Sequence, residues 1–399
     1  MAHYLLIRDS ELLPITPGVK KLRMAMLADA LLQRGHQVTW FASTFNHMAK
    51  ELYFDRDQSI QLTDDFSLVL KYVGQYSSNL SFARIKHHKL LSKHLHAFLN
   101  QNRCVFDAIV VSHPIIELAY VATKHAKKHR IPIVLDVRDK WPETFSDYMP
   151  SYLRPLVRCA TAVMKIKTQY SFRSATEVTS MSDYMAKWIG SYSNRKKAAT
   201  VFHLGTSLDG AHESCQSMVR EGAYPLVCTY VGGLIKSYDL DLLMQAANEL
   251  NEDVVCRSGG EGPTRAVREA MPVNNNVEFL GWCNSDGVSK DLLLADILLF
   301  PVSSALSQDV MPNKLFDYLW AGRPILACVH GEAADLIRDH KLGYVFKHGD
   351  LKDFLKGLSY LSNPDVRIEI SMNIRRIYSQ RFSAKKIYGA FADLAESLL

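Results

Sequence analysis

Twice along this chain, short apolar segments alternate with stretches of helical spacing, a pattern that parallel sheets wound with helices accommodate best. Tyr4–Arg8 is a short apolar run, a loop bearing Pro14, Pro17 and Gly18 follows, and Met24, Leu27, Ala28 and Leu31 then recur at i, i+3, i+4 and i+7. Gly35 stops that helix, and the β-rich stretch Gln37–Ser43 comes next. The alternation recurs as Ala108–Ser112, a helix near Glu117–Lys128, and Pro132–Asp136. A second series runs through Leu226–Gly232, a helix over Leu240–Leu250, and strands at Asp253–Ser258, Val277–Leu280 and Ile297–Pro301. Between the two series, Gly205–Ala223 is rich in Ser, Gly and charge and reads as a linker. The expectation is an α/β protein of two Rossmann-like, doubly wound domains over residues 1–205 and 206–383, with a helix over 384–399 returning toward the first. A length of 399 residues leaves room for both cores.

Composition narrows the class of protein. Apolar residues at 48% and charged residues at 22% exclude a disordered or fibrous chain. The seven cysteines are scattered without a C-x-x-C pair, which points to neither a disulfide framework nor a zinc site. No apolar run reaches the roughly 18–20 residues of a membrane span, and the N-terminus reads as a first buried strand and not as a signal peptide. A cytoplasmic location is the default expectation. The net charge of +6 is too small to imply nucleic acid by itself. Part of it gathers in Arg84–His96, where Arg84, Lys86, Lys89, Lys93 and four histidines, His87 among them, interleave with leucines. That pattern fits a basic amphipathic helix lying on the inner face of a membrane or on anionic groups; a solvated helix face is the alternative. Lys124–Arg130 reads as the last turn of a helix, where cations suit the dipole.

Neither G-x-G-x-x-G after the first strand nor G-x-x-x-x-G-K-[ST] occurs anywhere, so dinucleotide dehydrogenases and P-loop enzymes lack support. The strongest motif is Asp309-Val-Met-Pro-Asn-Lys-Leu-Phe-Asp317-Tyr-Leu-Trp-Ala-Gly-Arg-Pro324. Pro312 suits the first turn of a helix and Gly322 its end, so Asn313–Ala321 is a short helix whose free N–H groups can face an anion. Lys314 can neutralise phosphate, and Asp317 can hold vicinal hydroxyls. Ordinary capping carboxylates would look the same in isolation.

The acid-x7-acid spacing followed by Y-L-W-A-G-R-P-I-L resembles the signature of retaining family 4 glycosyltransferases, which have the GT-B fold. Further pieces match in order across nearly the whole chain: Arg34–Ser43, Ser258–Pro263, Asn276–Trp282 and Ala295–Pro301. Asp136–Glu143 and Ser43–His47 resemble the subgroup that assembles bacterial surface polysaccharides, including the amino-fucosyl transferase type. The resemblance implies two domains facing a cleft, with a nucleotide diphosphate sugar bound mainly by the second and the acceptor by the first. It implies that Asp309 lies against the donor sugar and Asp317 against the ribose. Both are Asp where Glu is usual, which draws each carboxylate back by about 1.5 Å.

By the same resemblance, Glu261 and Trp282 fall where the nucleotide approaches, although Trp282 also fits a surface aromatic. Gly18 belongs to a loop over the diphosphate, with Lys20 beside it. Asn313, Lys314 and Leu315 supply the helix start. His113, ending its strand, matches a histidine near the reacting sugar, and a structural histidine is the alternative. Arg138, Arg84 and His87 are the acceptor-side candidates.

One departure stands out. The family places an Arg and a Lys at the diphosphate just after the first strand of the second domain, and here those slots hold Gly233 and Tyr238, leaving Lys236 or Lys314 to substitute. The expected activity is retaining, metal-independent transfer of a hexosyl or N-acetylhexosaminyl group from a UDP-sugar to a glycan or lipid-linked acceptor. His113, Asp309 and Lys314 are its catalytic candidates. No cofactor and no metal ligand set is expected. A sugar-nucleotide epimerase of the same fold, or a silent nucleotide-sugar-binding scaffold, are the competing readings.

Overall fold

The computed structural model describes residues 1–15, 20–79, 81–147, 149–208, 225–235, 238–250, 254–270, 276–302 and 311–399. The chain forms two compact units, Met1–Thr16 with Lys21–His203 and Ile387–Leu399, and Pro17–Lys20 with Leu204–Lys386.

The N-terminal unit contains β1 (His3–Ile7), β2 (Gln37–Ser43), β3 (Phe45–Asn46), β4 (Glu51–Leu52), β5 (Gln58–Thr63), β6 (Phe66–Lys71), β7 (Ala108–His113), β8 (Ile133–Val137), β9 (Glu177–Ser180) and β10 (Thr200–Val201). Its main sheet has the order β10-β9-β8-β7-β1-β2-β6-β5, and β5 runs antiparallel to β6 while the other pairs are parallel. Every residue of β7 and β8 is buried, as expected for central parallel strands covered on both faces. At the edge, β5 (QSIQLT) alternates half-buried and exposed positions, which leaves one side of that strand to water.

The Ala384–Glu396 helix docks on this unit through its second half. Phe391 stacks on Phe202 with centroids 4.7 Å apart, and Arg34 pairs with both Asp393 and Glu396 at 2.7 Å.

The C-terminal unit contains β11 (Leu226–Val231), β12 (Val254–Gly259), β13 (Val277–Gly281), β14 (Ile297–Pro301), β15 (Ile325–Cys328) and β16 (Gly343–Val345). All pairs are parallel, in the order β13-β12-β11-β14-β15-β16. The order reverses between β11 and β14. In such sheets ligands bind outside the carboxyl ends of the strands at the reversal, so the residues after Val231 and Pro301 carry the most weight. The corresponding reversal in the N-terminal unit lies between β1 and β7.

Candidate functional site

At the end of β11 the chain turns through Gly232, whose φ of +150° side chains rarely adopt. A Cβ there would lie 1.3 Å from the Lys314 Nζ, so the missing side chain is what makes room for that ammonium group. Lys314 comes from the first turn of the Asn313–Ala321 helix, which is anchored by its apolar face. Leu315, Phe316, Leu319 and Trp320 are buried, the Tyr318 hydroxyl donates to the Leu299 carbonyl at 2.9 Å, and Phe316 packs on Phe382. The helix ends at Gly322; its N-cap, Pro312, makes no side-chain capping bond, and Asn313 beside it is exposed.

Lys314 Nζ donates to the Val231 carbonyl at 2.9 Å and lies 4.5 Å from the ring centroids of both Tyr230 and Tyr238. Burial pushes its pKa down to about 7; the Asp317 carboxylate works against that shift and the Lys20 charge adds to it. Asp317 is ion-paired with Lys20. A cation therefore stands where the usual Arg and Lys are missing, held by a backbone carbonyl and two aromatic faces. It is one of the two lysines expected as substitutes; the other, Lys236, lies outside the described residues.

The other donor-side candidates fall out as follows. Leu315 contributes no open group: its side chain is core and its N–H takes the Pro312 carbonyl at 3.1 Å. Sequence spacing places a residue in the first turn but does not show which of its groups are already bonded. Glu261 sits in a loop stitched to the end of β11 by Gly232 N–H to Gly259 O (2.8 Å) and Leu234 N–H to Glu261 O (2.9 Å). Its carboxylate pairs with Arg265. Trp282 is 71% exposed. Asp309, Gly18 and Lys236 lie outside the described residues.

The strand ends of the N-terminal unit are filled differently. Arg23 and Asp136, each about 1% exposed, form a buried pair at 2.7 Å. Arg23 also donates to the carbonyls of Phe202 (2.7 Å) and His203 (3.0 Å), and Thr179 donates to Asp136 at 2.8 Å. Just after β1, Glu11 takes Arg138 at 2.5 Å and Arg8 at 3.6 Å, while Asp9 accepts the Ser43 N–H at 2.9 Å and faces the His87 ring at 3.4 Å. Burial acts to raise the pKa of Asp9, but the His87 contact and the Ser43 bonds outweigh it and hold the group well below the carboxylate range. Arg84 lies 4.9 Å from the Trp141 ring and 5.8 Å from that of Tyr76, whose hydroxyl meets His47 at 2.7 Å.

Two acceptor-side candidates, His87 and Arg138, and one catalytic candidate, His113, are held within the N-terminal unit. His87 is turned inward, with 1% exposure, because the Phe82–Gln101 helix packs His87, His88, Leu91, Leu95 and Leu99 against the sheet. Arg138 is engaged by Glu11. His113 has no exposed surface, packs edge-on against Phe172 at 5.4 Å, and is pushed down to about 3 by burial. Here the imidazole is enclosed by core residues. The Arg8-Asp9-Ser10-Glu11 run that organises Arg138 and His87 was legible as a burst of charge directly after the first strand.

Among the described residues, no group of three or more His, Cys, Asp or Glu is placed to hold a metal ion, and no helix is long and apolar enough to cross a membrane.

Residues 225–363 match the family of glycosyl transferases group 1. The match covers the C-terminal sheet and the Asn313–Ala321 helix. No curated protein matches the chain by sequence. In fold the whole chain is similar to a sucrose-phosphate synthase from Thermosynechococcus elongatus, at 13% identity and TM-score 0.72, covering 100% of this chain and 99% of that one. It is similar to Anabaena HepE solved with UDP, at 14% identity and TM-score 0.66, covering 100% of both chains. It is also similar to a putative UDP-N-acetylglucosamine 2-epimerase from Listeria monocytogenes, at 11% identity and TM-score 0.60, covering 99% of this chain and 96% of that one. The fold is GT-B.

Proposed function

We propose that the chain is a retaining, metal-independent family 4 glycosyltransferase that moves a hexosyl or N-acetylhexosaminyl group from a UDP-sugar to a glycan or lipid-linked acceptor in bacterial surface polysaccharide synthesis. The observation that carries this reading is the Lys314 ammonium at the end of β11, in the first turn of its helix and over two tyrosine rings. In a same-face displacement the bond between the sugar C1 and the diphosphate oxygen breaks as the acceptor oxygen bonds to C1, and the acceptor proton passes to the departing diphosphate. Negative charge grows on that diphosphate, so a cation and oriented N–H donors are the groups that help. Lys314 and the Asn313 end of the helix supply them. Asp317 would take the ribose hydroxyls, Asp309 the donor sugar, and Glu261 and Trp282 the base side; Gly18 and Lys236 would flank the diphosphate. The family match over residues 225–363 and the UDP bound by HepE support a uridine nucleotide as donor.

A thermal-shift screen with UDP, GDP and their sugars, followed by product analysis with lipid-linked and glycan acceptors in EDTA, tests the reading. Stabilisation by a UDP-sugar and EDTA-resistant transfer with retained anomeric configuration is the expected result. Epimerised donor in the absence of acceptor would favour an epimerase, a reading the Listeria likeness keeps in view. Binding without turnover would favour a scaffold.

A further inference from the structure

An exposed apolar surface of the N-terminal unit lies on the helices Arg154–Ala160 and Ala162–Ser174 and the turn before them. Tyr152 (78%), Leu156 (68%), Val163 (64%) and Ile166 (66%) are open to solvent, and the Arg154–Ala160 helix buries no residue at all. Val163 and Ile166 are one turn apart and share a face. Between Asp147 and Glu177 the sequence has no acidic residue and five cations, Arg154, Arg158, Lys165, Lys167 and Arg173. Arg158 and Lys165 line a groove of about 590 Å³ beside this surface, together with Glu143, Ile166, Gln169 and Tyr192.

We infer that residues 149–167 form a docking face for an anionic lipid bilayer, lying in the interfacial plane without crossing it. Bulky apolar side chains that enter the headgroup boundary, with basic residues among them and no carboxylate on the segment, combine the two signals that peripheral binding requires. Charge argues against a second copy as the occupant, since a two-fold contact would set a patch with more cations than carboxylates against itself. The surface differs from the basic helix expected from the sequence. On Phe82–Gln101, His87, His88, Leu91, Leu95 and Leu99 face inward, and the large exposed apolar residues are confined to Phe82 and Ile85 in its first turn. The proposal stands or falls independently of sugar transfer.

Co-sedimentation of the full chain with vesicles of phosphatidylcholine alone, or with about a third phosphatidylglycerol, provides the test. Binding to the anionic vesicles only is expected. Leu156→Ser, Val163→Ser and Ile166→Ser together should lower the partition coefficient at least tenfold, and Arg158→Ser with Lys165→Ser should lower it and flatten its salt dependence. Lys86→Ser, Lys89→Ser and Lys93→Ser together should leave it unchanged. A fluorophore on the exposed Cys159, in a chain carrying Cys104→Ser and Cys215→Ser, should shift to the blue with anionic vesicles, a readout that keeps every apolar and basic residue of the docking face. Absence of binding and of the shift, an unaltered partition in the apolar triple variant, or a loss confined to the Lys86, Lys89 and Lys93 variant would overturn the assignment. So would a dimer that the apolar substitutions dissociate without effect on lipid.

Discussion

The two sheets share a topology and differ in what their strand ends do with charge. In the N-terminal unit Arg23 is answered by Asp136 and Arg138 by Glu11, and Asp9 sits against the His87 ring. In the C-terminal unit Lys314 has a backbone carbonyl and two rings for company, and the nearby Asp317 is paired with Lys20. A cation paired with a buried carboxylate has little left for a ligand, because separating the two uncovers both. A cation on a carbonyl and two aromatic faces keeps its charge available to an arriving anion. One set of strand ends is built as architecture, and under the proposed function the other receives the anionic diphosphate.

The largest expected effect tests the architectural side. Arg23→Ala leaves Asp136 buried and unpaired, and should destabilise the N-terminal unit by about 3–5 kcal/mol in urea unfolding. Arg23→Met with Asp136→Leu should recover much of that loss. Calorimetry on any folded fraction should show unchanged donor affinity, and a large loss of affinity would blur the division between the two units. On the ligand side, Lys314→Ala should reduce kcat/KM by a factor of about 10²–10³, or about 2.7–4 kcal/mol of transition-state stabilisation, with little change in Tm. Gly232→Ala should act in the same direction, since its Cβ would occupy the ammonium position. Full activity in both variants would remove Lys314 from the reaction.

What the sequence revealed and what it hid follow from the kind of signal each part leaves. Fully buried parallel strands leave continuous apolar runs, so β1, β2, β7, β8, β11 and β14 could be read directly. The β5 strand leaves QSIQLT, polar at half its positions because it is an edge, and gave no such signal. The helices over 154–174 expose apolar residues that would normally mark a buried face, so periodicity could not place them. Lys314 was legible from its place in the first turn and from the gap left by Gly233 and Tyr238. The faces of His113 and His87 were not legible: the spacing puts one at a strand end and the other on a basic helix, but which side each turns to depends on what packs there. Phe172 encloses the first and Asp9 faces the second.

A smaller effect separates the donor's sugar and ribose side from its phosphates. Asp317→Ala should raise donor Kd by about 1.5–3 kcal/mol through loss of a charged hydrogen bond, with kcat changed less than in Lys314→Ala. Asp317 also helps to keep Lys314 charged. The Kd should therefore rise for UDP-sugar more than for inorganic pyrophosphate if the ribose contact dominates. An equal rise for both would assign the whole effect to Lys314.

The smallest expected effect is a pH dependence whose sign follows from the depressed pKa of Lys314. With a folded value of about 7 against an ordinary 10.5, the free protein loses that proton as pH rises through 7. A diphosphate favours the charged form, so binding above pH 7 must take a proton up, and donor Kd should rise by up to about tenfold per pH unit until the pKa of the complex is reached. The same shift bears oppositely on folding: between about pH 7 and 10.5 the unfolded chain holds the extra proton, so this group's contribution to stability increases with pH across that window. Calorimetry with a UDP-sugar near pH 8.5, in buffers of different ionisation enthalpy, should report uptake of about one proton by the wild type and none by Lys314→Met. No uptake in the wild type would mean that the ammonium is already fully charged before the donor arrives, and the contrast between the two units would then rest on the carbonyl and ring contacts of Lys314 alone.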